Sequence, residues 1–369
     1  MLKYGARFWA PFLSLCISQS ASAYLVDDAS FSLYEEFMMA GTGVAYLGSP
    51  GNAATNPAGL AYIKDLDRYY TTILIGRLES GEDTSIDDGL SVLPALVAKN
   101  FSLWGGILEP YLSTQQFLVT QSEKSTESYD FILSATNIRA GLGWGRKFDR
   151  TAFGIGAYFS RESSISKTSF RNTDAIGSSN SSRQTLIAGL SLGVAQAYTT
   201  WSWGLRFSVA PALISARSKS TGEFYTFSNQ QTYPISETDS SAMLRAHYLI
   251  GGTTLKITDS VTLLTDVGWN PPLEGKDLDA EVDYQGSLDL KLGVKQDLEG
   301  KRSLFYGAST NTKNVDKKSR AHEDINIIVS AGYKRPVKSS NTFYGLSYSQ
   351  DKSGEGRSYI LTLGSDFSL

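Results

Sequence analysis

Cysteine is almost missing from this chain. Its 369 residues hold one, Cys16, inside a segment that reads as a leader. An exported chain without disulfides must be held by burial and hydrogen bonding alone. Histidine is nearly as scarce: His247 and His322 are the two present, and neither sits at metal-ligand spacing or in a nucleophile–base set. Gly189-Leu-Ser191-Leu-Gly193 has the spacing of a serine-hydrolase elbow, but that elbow needs a strand–turn–helix and this match lies inside one alternating run. Gly141-x-Gly-x-Gly145 has the look of a phosphate loop, again without the helix that would follow. No enzyme activity, metal or cofactor is therefore expected. Charge of either sign is not in excess: Lys+Arg 34 stand against Asp+Glu 37, which gives no footing for nucleic acid. Long apolar runs are also missing beyond the leader, so no transmembrane helix is expected.

Residues 1–23 carry the marks of a secretory signal peptide. Lys3 and Arg7 form a basic start, Phe8 to Ile17 an apolar centre, and Ala21-Ser22-Ala23 a small-residue cleavage site. Leu15, bulky where a lipid-attachment signal wants a small residue, argues against lipidation of Cys16. Removal of Lys3 and Arg7 takes the net charge from −3 to −5. The remainder is rich in Gly (34), Tyr (20) and Phe (17) with a mean hydropathy of −0.18. That profile fits an outer-membrane barrel and, nearly as well, a secreted soluble β protein.

The order of strands and connections separates the two. From Arg68 onward the side chains alternate in segments of about 8–14 residues, the length and period of tilted membrane strands. They are Arg68–Arg77, Phe101–Glu109, Gln115–Gln121, Ala135–Lys147, Thr151–Ser160, Thr185–Tyr198, Trp201–Ile214, Leu244–Ile257, Val261–Trp269, Ser287–Lys295, Ser303–Asn311, Ile325–Lys334, Thr342–Ser349 and Ser358–Phe367. About fourteen strands result, an even number, as bacterial barrels require. Leu288, Leu290, Leu292 and Val294 share a face opposite Asp289, Lys291 and Lys295. A charge at mid-bilayer costs ~2–4 kcal/mol, so the charged face must point into a lumen. Arg139, Arg206, Arg245, Asp266, Asp289 and Lys291 are the lumen-facing candidates. Salt bridges from this set to Glu35 and Glu36 are one expectation and a solvated wall is the other. His247 is expected to face the lumen beside Arg245.

Short connections at Pro110–Thr114, Phe148–Arg150, Thr199–Thr200, Thr258–Ser260, Gln296–Arg302 and Arg335–Asn341 alternate with longer polar ones. The long ones include Leu78–Asn100, Ser122–Ser134, Arg161–Gln184, Ser215–Met243, Asn270–Gly286 and Thr312–Asp324. Short turns on one side and long loops on the other mark an outer-membrane barrel. Trp144, Tyr158, Phe159, Tyr198, Trp201, Trp269, Tyr333 and Tyr359 lie near strand ends and suit interfacial girdles. The final strand runs Tyr359, Leu361, Leu363, Ser365, Phe367, Leu369 on one face, a pattern resembling the signal read by barrel-assembly machinery. Pro211, which cannot donate to a ladder, marks a bulge near the outer rim or a lateral gap.

Residues 24–66 precede the first strand and have no place in the wall. Their centre, Gly41 to Leu60, is made mostly of Gly, Ala, Ser, Thr, Asn and Pro, almost without charge and with no apolar period. Such small side chains let backbone approach backbone. A barrel of about fourteen strands is too wide to be filled by its own side chains, so a compact hatch is expected here. Inward glycines at 141, 143, 145, 154 and 156 would give it room.

Asn56-Pro57-Ala58-Gly59-Leu60, after the Gly/Ala-rich 41–55, resembles the hatch motif of the FadL/TodX family of outer-membrane transporters for hydrocarbons and long-chain fatty acids. The signature is also similar to that of related PorV-type outer-membrane proteins, some linked to secretion machinery. The resemblance implies an all-β, up-and-down transmembrane barrel over 67–369, plugged by a hatch over 24–66, with Asn56, Pro57, Ala58 and Gly59 as the motif. It implies passive uptake of hydrophobic or amphipathic small molecules. The partners it implies are outer-membrane lipid, the ligand itself and the barrel-assembly machinery, without nucleic acid. One departure stands out: Arg161–Gln184 and Ser215–Met243 are Ser/Thr/Asn-rich where fatty-acid collectors carry apolar outer loops, and only Leu90–Val97 in the first long loop is apolar. The competing expectation is a structural or secretion-associated barrel whose long loops bind partner proteins.

Overall fold

The computed structural model describes residues 34–64, 68–80, 86–122, 125–171, 175–226, 230–239, 247–277, 280–284, 286–312, 325–337, 340–350 and 357–368. The signal segment, Arg245 and His322 lie outside them. One antiparallel sheet of fifteen strands dominates. Setting aside Gln231–Asp239, which pairs only with the upper half of its neighbour, fourteen strands remain, each paired on both sides. They are β1 (Arg68–Ser80), β2 (Ile86–Ala98), β3 (Phe101–Ser122), β4 (Ser125–Phe148), β5 (Thr151–Arg171), β6 (Ala175–Ala197), β7 (Trp201–Thr226), β8 (Tyr248–Lys256), β9 (Val261–Asn270), β10 (Ser287–Leu298), β11 (Arg302–Thr312), β12 (Ile325–Val337), β13 (Ser340–Gln350) and β14 (Arg357–Ser368). Sequence neighbours pair throughout, and β1 pairs with β14 from Tyr69↔Ser368 to Ser80↔Arg357. The pairings therefore form a ring, which satisfies the backbone without an edge, as a lipid environment demands.

Alternation of side chains sets which face meets lipid. On β10 Leu288, Leu290 and Leu292 are 60%, 56% and 53% exposed, while Asp289 and Lys291 between them are 4% and 5% exposed. The same division holds on β4, where Ile138, Leu142 and Trp144 are exposed and Arg139 is buried. Charged residues thus face the bore and apolar ones form an outer belt.

The strand count agrees with the sequence expectation, but its partition does not. Leu78–Asn100 is not a loop; it contains the end of β1 and all of β2, so Leu90–Val97 belongs to the wall. Pro110–Thr114 is not a turn either. It lies inside β3, where the ladder shifts register between Leu108 and Tyr111 against β4 and between Asp88 and Val92 against β2. Pro110 lacks the donor an unbroken ladder would need, and a bulge absorbs it. The count agrees because β2 adds a strand where a loop is expected, and Phe101–Glu109 and Gln115–Gln121 are one strand, β3.

Most of the long polar loops are also strand. β3 to β7 run 22, 24, 21, 23 and 26 residues, about twice what a bilayer needs. The excess, including most of Ser122–Ser134, Arg161–Gln184 and Ser215–Met243, rises as a polar wall on the side opposite the short turns. Asn270–Gly286 holds a small hairpin of Leu273–Asp277 with Ala280–Tyr284. Water bathes both faces of these extensions, so no period-2 hydrophobic pattern announces them. Thiol labelling of intact cells tests the orientation. Cysteines replacing Ser178 and Thr221, on the tall wall, are expected to react with an impermeant reagent, and one replacing Asp149, in the β4–β5 turn, is expected to stay unlabelled. Labelling of all three would reverse the argument.

Pro211 falls in a bulge, as one of the two sequence expectations had it. The β6–β7 ladder shifts between Ala188 and Leu190 and again between Leu186 and Ile187, and the freed Ala210 N–H donates to His247 Nδ1 at 3.0 Å. His247 does not face the lumen. It is exposed and stacks on the outward Phe207, with ring centroids 5.5 Å apart, because Tyr248 and Ile250, its inward alternates, are buried.

Candidate functional site

Residues 34–63 lie against the inward face of the ring. Tyr34–Met39 forms a 3-10 turn, Asn52–Thr55 one turn of α-helix and Pro57–Tyr62 a second 3-10 turn. None could stand alone at this length. Burial supplies what propensity does not. Met38, Met39, Ala53, Ala54, Leu60 and Ile63 join wall residues Ala95, Val97, Leu264, Phe305 and Phe343 in one apolar cluster. Close approach depends on small wall residues at two places in particular. A Cβ on Gly154 of β5 would fall on the backbone of Pro57 and Ala58, and one on Gly307 of β11 would fall on that of Met39 and Ala40.

Asn56 and Pro57 govern the turn between the two short helices. Asn56 has an extended backbone (φ −157°, ψ 104°), the conformation that a following proline favours. Its Oδ1 accepts from Ala58 N at 3.1 Å, which caps the Pro57–Tyr62 turn. Its Nδ2 donates to Val44 O at 2.9 Å and reaches Val194 O of β6 at 3.5 Å. One side chain thereby joins two parts of the segment and the wall. Asn56, Pro57, Ala58 and Gly59 are all buried.

Polar tethers run around most of the ring. Asp266 Oδ2 of β9 accepts from Gly43 N at 2.7 Å and Val44 N at 3.2 Å. Ser202 Oγ of β7 donates to Ala45 O at 2.7 Å, and Ser330 Oγ of β12 donates to Met38 O at 2.9 Å. Asn100 N, in the β2–β3 turn, donates to Leu60 O at 3.1 Å. Tyr62 OH donates to Arg150 O at 2.8 Å and accepts from Ala197 N at 3.2 Å. Backbone groups that would otherwise be buried without partners are satisfied by the wall.

One tether joins Glu35, expected from sequence to form a salt bridge, to a wall lysine outside the named lumen set. Glu35, almost fully buried, pairs with Lys334 Nζ of β12 at 2.5 Å, and Lys334 lies 4.0 Å from Asp366 of β14. Glu35 Oε2 also accepts from Tyr46 OH at 2.9 Å, and Tyr46 OH accepts from Lys295 Nζ at 3.0 Å. Burial pushes the Glu35 carboxyl up, but the ammonium groups of Lys334 and Lys295 and the two hydrogen bonds outweigh it, so its pKa is lowered. Glu35 takes Lys334 as its ion-pair partner, where a cation of the named lumen set, Arg139, Arg206 or Lys291, was the expectation. Lys334 was legible, since it alternates with Ile327, Val329, Ala331 and Tyr333 and must point inward. Of the named lumen set, Arg139, Arg206, Asp266, Asp289 and Lys291 are all buried and inward. Arg139 also stacks over the Tyr158 ring at 4.6 Å.

Glu36 is the opposite case. It is fully buried, and Gly43 and Gly51 cradle it so closely that a Cβ on either would overlap its side chain. Ser49 approaches its carboxyl without making a hydrogen bond of sound geometry. Burial raises its pKa from 4.5 to about 8, with Ser49 offsetting part of the rise. The folded pKa lies above the unfolded one, so the contribution of Glu36 to the seating of the segment is fully present below pH 4.5 and is lost as pH rises through about 8. Limited proteolysis of residues 34–64 is expected to accelerate between pH 7 and pH 9 in the parent. With Glu36→Gln the rate should stay flat after correction for the protease; equal acceleration in both would clear Glu36 of the effect.

No family model and no curated protein matches the sequence. Solved structures do match. The CymD monoaromatic hydrocarbon channel aligns over 90% of this chain and 96% of its own, with a TM-score of 0.66 at 10% identity. The toluene transporter TbuX of Ralstonia pickettii aligns over 93% and 100%, with a TM-score of 0.66 at 11% identity. A Pseudomonas aeruginosa FadL homologue aligns over 92% and 100%, with a TM-score of 0.64 at 12% identity. The chain has the FadL-type fold. Such low identity carries the FadL-type architecture alone, and with its exposed apolar belt this barrel belongs in an outer membrane.

Proposed function

We propose that this FadL-type barrel is a passive outer-membrane channel for hydrophobic or amphipathic small molecules, with residues 34–63 as its hatch and Asn56 to Gly59 as the hatch motif. The observation that carries this reading is how the inner segment is held. It is tied to the wall by dispersed hydrogen bonds, the Glu35–Lys334 ion pair and an apolar cluster, which can yield locally while the ring stays closed. Similar structures are described as a monoaromatic hydrocarbon channel and a toluene transporter.

The bore favours amphipathic over purely hydrocarbon solutes. The inward face mixes the buried Arg139, Arg206, Asp289 and Lys291 with Tyr158, Tyr248 and Ile250, so a bore opened by movement of the inner segment would set charge beside apolar surface, which suits an amphipathic solute. Long-chain fatty acids fit that description. The β3 bulge at Leu108–Tyr111, shifted against both neighbours, is the weakest point of the ladder and the candidate side exit. Deletion of the protein is expected to slow uptake of a fluorescent fatty acid and of a neutral aromatic by intact cells, the former more strongly. No change with any such probe would end the transport reading. The tall polar wall of β3–β7 favours a second reading, a scaffold that binds a partner protein; cross-linking through Ser178→Cys to one protein, with uptake unchanged by deletion, would select it.

A further inference from the structure

Just above the lipid belt, the outward face of β5–β7 carries a cluster of basic side chains. Register fixes their rows. Arg161 aligns with Leu186 and Ser215, Ser163 with Gln184 and Arg217, Ile165 with Ser182 and Lys219, and Lys167 with Asn180 and Thr221. Arg161, Lys167, Arg217 and Lys219 are all exposed, and alternation puts them on the same face as Phe159 and Leu190, which are exposed in the belt below. At strand spacing of about 4.8 Å and rise of about 3.3 Å per residue, the cluster measures about 20 Å along the strands and 10 Å across. Among the described side chains of this face, Glu223 near its upper end is the one acid.

The position is what makes this more than a solvated charged face. Elsewhere on the same rim the belt ends in aromatic rings, Trp269 on β9 and the Tyr348–Tyr359 pair on β13 and β14, as interfaces usually do. In the β5–β7 sector it ends in Phe159 and then in four cations. They stand where the headgroups of the outer leaflet must lie, continuous with a surface already in lipid. We propose that this face binds the phosphate-bearing headgroup of an outer-leaflet glycolipid, with Arg161, Lys167, Arg217 and Lys219 as its contacts and Ile165 (49% exposed) as an apolar foothold. Guanidinium groups suit phosphate by bidentate pairing, and the two lysines add charge. The inference rests on the membrane orientation and is independent of the transport reading.

The test uses the full-length protein in nonionic detergent, titrated with bis-phosphorylated lipid A. R161Q/K167Q/R217Q/K219Q is expected to bind a hundredfold or more weakly, since each basic group near an anionic surface contributes roughly fivefold. R150Q/K301Q/R302Q/R335Q, which removes four cations from the short-turn rim, is expected to bind like the parent. Heat-resistant migration on gels verifies that each variant is folded, and R217E/K219E serves if the fourfold change is not. Equal binding by parent and fourfold variant overturns the proposal, as does equal loss in the short-turn control. Undiminished binding of dephosphorylated lipid A would show that phosphate is not read. Displacement of lipid A by polyglutamate at matched charge would make the occupant an acidic protein and overturn the proposal too.

Discussion

Lys334→Met is expected to release one side of the inner segment while the barrel stays closed. The substitution leaves Glu35 buried within hydrogen-bond reach of Tyr46 alone, with Lys295 reaching it only through that hydroxyl. Breaking a buried pair by removing one partner costs about 3–5 kcal/mol, more than the pair itself is worth. The cost falls on the segment, because the β11–β12 and β12–β13 ladders around position 334 are made by backbone. Protease accessibility of residues 34–64 should rise by two orders of magnitude or more, with heat-resistant migration unchanged. The double change Glu35→Gln with Lys334→Met should recover most of the protection, since a neutral amide needs no counter-charge. A double variant as open as the single one would show that packing, and not the charge left behind, was lost. Because the folded pKa of Glu35 is lowered, its anchoring contribution is present above the carboxylate range and is lost as pH falls through the folded value. Acid should therefore weaken this one anchor as Glu35→Gln would, by taking away the charge that Lys334 pairs with.

Asn56→Ala is expected to open the bore itself. It removes the cap on Ala58 N, the donor to Val44 O and the reach to Val194 O together. Each buried partner left unsatisfied costs about 1–3 kcal/mol, and Val44 O and Ala58 N are both in buried residues. Val44 is also held by Asp266 through its N–H, so the segment loosens from the Asn56 end while the Asp266 end holds. In planar bilayers the variant should show brief conducting events at least tenfold more frequent than the parent. Asn56→Asp keeps the acceptor and loses the donor, and should fall between the two. If Asn56→Ala conducts no more often than the parent, the motif does not close the bore.

The barrel was legible because a membrane strand writes a two-residue period into the sequence, and β10 with Leu288, Asp289, Leu290, Lys291 and Leu292 writes it clearly. The period fails where both faces meet the same medium. It fails above the membrane, where β5–β7 become Ser/Thr strands without contrast, and in β2, where Leu90 to Val97 reads as a plain apolar run. The inner segment was legible by exclusion, being too small and too uncharged for wall or rim. Its partners were not. Asp266 could be placed in the bore by alternation, but that its carboxylate meets the Gly43 and Val44 amides follows from how the segment crosses the ring, which no local pattern records. Alternation places Lys334 on the inner face with Ser330 and Gly332, but nothing in that pattern says that it meets Glu35.

The seam between β1 and β14 carries a consequence for assembly. Every other pair in the ring joins strands numbered consecutively along the chain, whereas this pair brings Tyr69 to Ser368. Loop closure over that separation is the costliest in entropy, so the seam is the last to form. Residues 34–63 come just before β1, yet they are tied to β6, β7, β9 and β12. A segment leading into the seam can end up inside without being threaded only if it settles on the open sheet first. The order of events would then be wall, segment, seam, and the inner segment becomes a mandrel on which the last pairing is made. Variants that loosen it should slow closure of the ring even where the finished barrel is as stable as the parent.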